Sequence, residues 1–296
     1  MKEDGLRIDS HVHILPEKRL VGIMRWIKRA FPDHPISLDV TKEHILSDMK
    51  SLGITHFFNL AYPLHNEEMA SLNAWNIQFC RQTPGAIPFA SLHPDTERKE
   101  DIAGTLLKEG FIGFKFHPFI QRFDPWDERM YDLYAYLQEV GRPVMFHTGF
   151  ENFYGMPMPV SRLQDLLELF PSLPMVFVHM TFPELTWVYR MLDAHSNLYL
   201  DATNVLAFLR PKYKFWAESM PDADKVREDL LKGLEKYAGR IFHGSDHPAG
   251  MGGLAEIYED LDGLPISPGA REFLRWKAAK SFIEEFVPDF DWNRHL

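Results

Sequence analysis

Eight short apolar runs, at 7–13, 54–60, 86–92, 111–117, 143–148, 174–179, 197–201 and 240–246, recur along the chain with helical patterns between them. Each run is too short for a globular helix and is rich in Ile, Val, Phe or Leu. Such near-continuous apolarity marks strands buried on both faces of a parallel sheet. The segments between them carry amphipathic stripes. Thr41 is placed to cap a helix with Ile45, Leu46, Met49 and Leu52 on one face and Gly53 at its end; comparable stripes run into Gly110 and Gly141. Further stripes lie at Leu163–Phe170, Leu185–Leu192 and Val226–Leu234, and a last helix is expected over 269–286. Strand–helix alternation repeated eight times predicts an α/β fold, a (β/α)8 TIM-like barrel, as a single domain over 1–296. An open doubly wound sheet is the competing arrangement, but no Gly-rich dinucleotide loop follows the first run. One insertion, 14–40, breaks the rhythm; it leaves the C-terminal end of the first strand, where it either closes over a site as a lid or packs on the barrel rim.

Composition narrows the partners. The 296-residue chain is 45% hydrophobic and carries a net charge of −10 without a long basic block, which argues against a nucleic-acid backbone as partner. No apolar stretch reaches the roughly 18 residues of a membrane span, and no apolar segment follows Met1-Lys2-Glu3-Asp4, so a cytoplasmic protein is expected. The lone cysteine, Cys80, excludes an intramolecular disulfide and sits in a helical pattern as an inert buried thiol. A small-molecule substrate fits this profile, which leaves room for a homo-oligomer.

Polar residues collect where the runs end. The first ends His11-Val12-His13, the fifth at His147, the sixth at His179, and the eighth at Asp246 with His247 after it. Residues two apart on a strand face one side, so His11 and His13 are expected to point together. In a barrel the strand ends meet at one mouth. Imidazoles and a carboxylate gathered there suit a borderline divalent cation, zinc above all. Lys115 and His117 share a parity on the fourth run. Lys115 has three readings: a carbamate bridging two metals, an ammonium receiving a substrate anion, or a buried structural lysine. Arg122 and Arg162 lie on the loops after the fourth and fifth runs, where a carboxylate could be gripped. Glu151 is a candidate support for His147, His93 reads as structural, and His243 has the parity of the opposite face.

The stretches Ile8-Asp9-Ser10-His11-Val12-His13, Gly113-Phe114-Lys115-Phe116-His117-Pro118 and Gly244-Ser245-Asp246-His247-Pro248, with His147 and His179, resemble the amidohydrolase superfamily, and most closely its amidohydrolase-2 branch. The resemblance runs from the first strand to the eighth. It implies His11, His13, His147 and Asp246 as metal ligands, Asp246 as proton carrier, and His179 beside the metal orienting or polarising the substrate. Lys115, His117, Arg122 and Arg162 are the expected substrate-binding set. One departure is visible: the Asn-Ala pair that often opens the last helix in relatives is replaced by Lys277-Ala278-Ala279-Lys280. The branch holds both hydrolases and aromatic-acid decarboxylases. The expected reaction is attack of metal-activated water on an amide, ester or lactone carbonyl of a small anionic substrate; the alternative is decarboxylation of a hydroxylated aromatic acid.

Overall fold

The computed structural model describes residues 5–210 and 222–292. The opening Met1–Asp4, on which the expectation about a leader partly rests, lies outside them. Eight parallel strands, β1 (Ile8–Val12), β2 (His56–Leu60), β3 (Ala86–Ala90), β4 (Gly113–Phe116), β5 (Val144–His147), β6 (Met175–Val178), β7 (Leu198–Asp201) and β8 (Ile241–Phe242), pair in sequence order. Every strand residue is buried, as the apolar runs require. The eighth strand is shorter than its run because the chain leaves the ladder after Phe242. Its continuation still meets β1: Ser10 N donates to His243 O (3.1 Å), Asp246 N to His11 O (2.8 Å) and His13 N to His247 O (2.9 Å). These bonds close the (β/α)8 barrel.

Two apolar layers follow from strand alternation. Phe58, Phe89, Met145, Val176 and Phe242 fill the barrel, and Trp276, Phe282 and Ile283 of the last helix pack into the same cluster. Phe57, Phe114, Phe146, Phe177 and Leu200 face outward against the helices. That last helix runs over 268–286 and contains a π-turn at Phe273–Lys277. The helix Lys42–Ser51 is capped by Thr41, whose Oγ1 accepts from His44 N at 3.3 Å. Gly110 and Gly141 end their helices at positive φ, 111° and 64°. Cys80 is buried.

The 14–40 insertion is largely helical, with a helix at Glu17–Ala30 whose Leu20, Met24 and Ile27 are buried. Among the described residues no helix is long and apolar enough to cross a membrane.

Candidate active site

The regular alternation expected for His11 and His13 is modified by an irregularity in β1. The register shifts between Asp9 and Val12. Ile8 belongs to the inner apolar cluster, whereas Val12 and Ile14 belong to the outer one, so the facing reverses across the shift. Asp9 holds this turn. Its Oδ1 accepts from His11 N (3.1 Å) and Ser245 N (2.9 Å), and its Oδ2 accepts from Tyr258 Oη (3.0 Å). One buried carboxylate thereby ties β1 to the segment carrying Asp246. Burial pushes its carboxyl up to about 6, against those same hydrogen bonds. Gly244 permits the approach: a Cβ there would lie 2.4 Å from His11 Cβ and 2.6 Å from Thr203 Oγ1.

Three side chains converge at the mouth. His11 Nε2 and His13 Nε2 are 3.0 Å apart, and Asp246 Oδ1 lies 3.6 and 3.1 Å from them. Their tautomers follow from what stands behind each ring. His13 Nδ1 is 2.5 Å from Leu60 O; a carbonyl only accepts, so Nδ1 carries the proton and Nε2 a lone pair. His11 Nδ1 faces the Asp201 carboxylate at 3.5 Å without a hydrogen bond; the negative charge there favours the proton on Nδ1. Asp201 is itself held by Ser10 Oγ (3.0 Å) and Thr203 N (2.7 Å). Burial, then Lys115, holds the His11 imidazole far below its ordinary range, so it stays neutral. Burial would raise Asp246, but His11, His13 and His179 hold its carboxyl well below the usual range. With both rings neutral, their lone pairs and the carboxylate oxygen repel one another unless a proton or a metal cation sits among them. This donor set, with a carboxylate and a carbonyl orienting the two imidazoles from behind, fits a divalent metal. Among the described residues it is the one such His/Asp group.

His147 stands apart from that group. Its Nδ1 lies 3.2 Å from His179 Nε2, and its ring stacks on His117 with centroids 3.7 Å apart. His179 Nδ1 donates to Thr203 O at 2.7 Å. Neutral His179 therefore accepts from His147 Nδ1, which leaves His147 Nε2 a buried lone pair without a partner. His179 is carried by a turn in which it and Met180 and Thr181 all have positive φ (61°, 52°, 52°). Thr148 Oγ1 supports that turn by donating to Val178 O (2.7 Å). His117 and His147 are both lowered far below the ordinary imidazole range, chiefly by burial and then by neighbouring cationic groups.

These residues open onto a cavity of about 370 Å³, whose wall includes His13, His117, His147, His179 and Asp246. The insertion contributes Lys18, Arg19, Ile23, Trp26 and Phe31. Asn204, in the loop after β7, lines it too; its Nδ2 donates to Asp246 Oδ2 (2.7 Å) and its Oδ1 accepts from Met251 N (2.8 Å).

The expected cations lie elsewhere. Lys115 is fully buried and is not on the cavity wall; its Nζ has no hydrogen-bond partner. Burial lowers its ammonium to about 7, with Asp201 and Asp246 opposing. Such a group lies beneath the cavity surface. Arg122 is exposed at the end of a short helix, Pro118–Gln121, and does not line the cavity. Arg162 is exposed, paired with Asp165 (2.8 Å) and placed over Trp126. Arg122 closes that short helix and Arg162 lies in the helix Val160–Leu169, not on a loop; neither lines the cavity. Glu151 does not meet His147; its Oε2 accepts from Met158 N. His243 packs edge-on against Tyr258, and His93 lies 3.5 Å from Asp95. Asp9, Asp201, Asn204, Tyr62 and Arg19 were not singled out from sequence. Asp9 and Asp201 were visible as acids inside apolar runs; the others sit in loops or the insertion, with no signal.

Comparison with solved structures agrees with the fold. An uncharacterised TIM-barrel protein from Bordetella bronchiseptica is 21% identical, with 94% of this chain and 98% of that one covered and a TM-score of 0.71. A dihydroxybenzoic acid decarboxylase from a Polaromonas species, solved with manganese and 2-nitroresorcinol, is 16% identical over 98% and 99%, with a TM-score of 0.68. A Pseudomonas putida protein named as a candidate 2-pyrone-4,6-dicarboxylic acid hydrolase is 15% identical over 98% of both chains, with a TM-score of 0.64. No curated protein matches the chain. The amidohydrolase family model matches residues 8–282, nearly the whole barrel. The chain belongs to the amidohydrolase-2 family, as its strand-end motifs suggested.

Proposed function

We propose that this protein is a metal-dependent hydrolase acting on an amide, ester or lactone carbonyl. The observation that carries the reading is the meeting of His11 Nε2, His13 Nε2 and Asp246 Oδ1, at 3.0–3.6 Å, beside a cavity lined by His13 and Asp246. His11, His13 and Asp246 would hold the ion, with His147 Nε2 as the further ligand; two nitrogens and a carboxylate oxygen suit zinc. When bound, such an ion supplies Lewis acidity and lowers the pKa of water toward ~7. Asp246 takes the proton of the attacking water and returns it to the leaving group, with Asn204 fixing the carboxylate through Oδ2. His179 has its Nδ1–H committed to Thr203, so it offers a hydrogen bond to a carbonyl oxygen only as the imidazolium. Burial lowers its pKa, with Asp246 and the Thr203 hydrogen bond opposing, so the neutral ring prevails and His179 acts chiefly by orienting His147 through Nε2.

The decarboxylase reading is supported by the aromatic cavity wall, which suits a ring-bearing acid. Incubating the metal-loaded protein with aryl esters, lactones and hydroxybenzoates separates the two. Two fragments or an opened ring without carbon dioxide supports hydrolysis; carbon dioxide with loss of ring-acid absorbance replaces it with decarboxylation.

A further inference from the structure

From the cavity wall we infer the substrate class for this site: a flat, uncharged aromatic body whose charge, if any, is confined to the end that meets His11, His13 and Asp246. This deepens the reading above and departs from the anionic substrate expected from sequence.

Two elements build the aromatic wall. Phe31 of the insertion stacks on Phe153 of the loop after β5 (centroids 5.2 Å, planes 16° apart), and Trp26 meets the same ring edge-on at 5.5 Å. Phe153 meets Tyr154 at 5.0 Å, and Tyr154 meets His147 and His117 edge-on at 5.3 and 5.4 Å. A row of rings therefore leads from the insertion to the histidines, spaced as aromatic pairs prefer.

Charge is scarce along that row. The cations on the wall are Lys18 and Arg19. Arg19 is already committed, with Nη1 2.6 Å from Glu68 Oε2 and Nη2 donating to Tyr62 O. Lys18 is exposed, so it serves the rim. Lys115, Arg122 and Arg162 do not reach the wall. A carboxylate on the distal part of a ligand would lose water without gaining a cation, a cost that an uncharged ring does not meet.

Isothermal calorimetry on the metal-loaded protein with 2-naphthoate and naphthalene-2,6-dicarboxylate tests this, because both offer one carboxylate to the metal end and only the second carries another at the far end of the ring system. The distal carboxylate should weaken binding at least about tenfold. Phe153→Ala should weaken 2-naphthoate roughly five- to tenfold with metal content and fold unchanged. Equal or tighter binding of the dicarboxylate overturns the inference, as does 2-naphthoate binding that is absent or indifferent to Phe153→Ala. Turnover is not the readout. If 2-naphthoate binds as expected but 2-naphthyl acetate is not hydrolysed, the hydrolase reading fails and the cavity inference stands.

Discussion

His13 donates from Nδ1 to the carbonyl oxygen of Leu60, 2.5 Å away, and this one bond fixes which nitrogen faces Asp246. The β2 strand end thus sets the chemistry of the β1 strand end, because a carbonyl can only accept. The unprotonated Nε2 and the ionised Asp246 are held facing each other by the fold, an arrangement that a cation stabilises and an empty mouth does not.

Asn204 controls the second oxygen of Asp246. Asn204→Ala should leave most metal bound but reduce kcat by about tenfold, since the carboxylate loses a fixed donor. Asn204→Asp should be worse, because it places like charge beside Asp246. Rate and metal content measured on both variants check this; Asn204→Asp at full activity would contradict it.

Lys115 is expected to act on the field of the site and not on the ligand. Because its Nζ is off the cavity wall, Lys115→Met should leave KM unchanged while altering kcat through the neighbouring His11. Metal content near one per chain, unchanged by bicarbonate, is the accompanying expectation. A second metal appearing with bicarbonate would instead mark the lysine as a carbamate bridge.

His243 provides a pH test remote from the cavity. Burial lowers its imidazole from 6.5 to about 4, so between those values the unfolded chain binds one more proton than the folded one. Stability should therefore rise with pH through this window and fall on acidification, by roughly 3 kcal/mol in full. His243→Phe keeps a ring against Tyr258 and removes the titration. Denaturant unfolding at pH 4 and pH 7 should show a smaller pH difference in the variant than in the wild type; equal differences would refute the assignment.

The barrel was legible because its strands are buried on both faces, which leaves an apolar run as a clear trace. Helix ends were legible where Thr41, Gly110 and Gly141 carry specific backbone roles. The meeting of His11, His13 and Asp246 could be anticipated because barrel strand ends share one mouth. The route was less regular than simple alternation implied: an irregular β1 held by Asp9 turns both imidazoles inward. His147 illustrates the limit. Its strand end is where the run placed it, but which nitrogen it offers depends on His179 and, behind that, on the carbonyl of Thr203. Arg122, at the end of a short helix, and Arg162, in the first turn of another, fall off the cavity wall, and where the chain turns after its strand leaves no periodic signal. Arg19 and Tyr62 reach the cavity through tertiary packing of the insertion and of the loop after β2.

Asp246→Asn separates binding from catalysis. The amide keeps an oxygen toward the site but cannot carry the proton, so metal should be retained in large part while kcat falls by roughly 10²–10⁴. Wild-type turnover by the variant would remove Asp246 from the chemistry.

The most direct test of the account is metal stoichiometry, by elemental analysis of purified wild-type protein and of the His11→Ala, His13→Ala double variant. The wild type is expected to hold one divalent ion per chain, zinc first among the candidates, and the folded double variant is expected to lose it almost entirely. Metal retained at the wild-type level in a folded double variant would contradict the site at its centre.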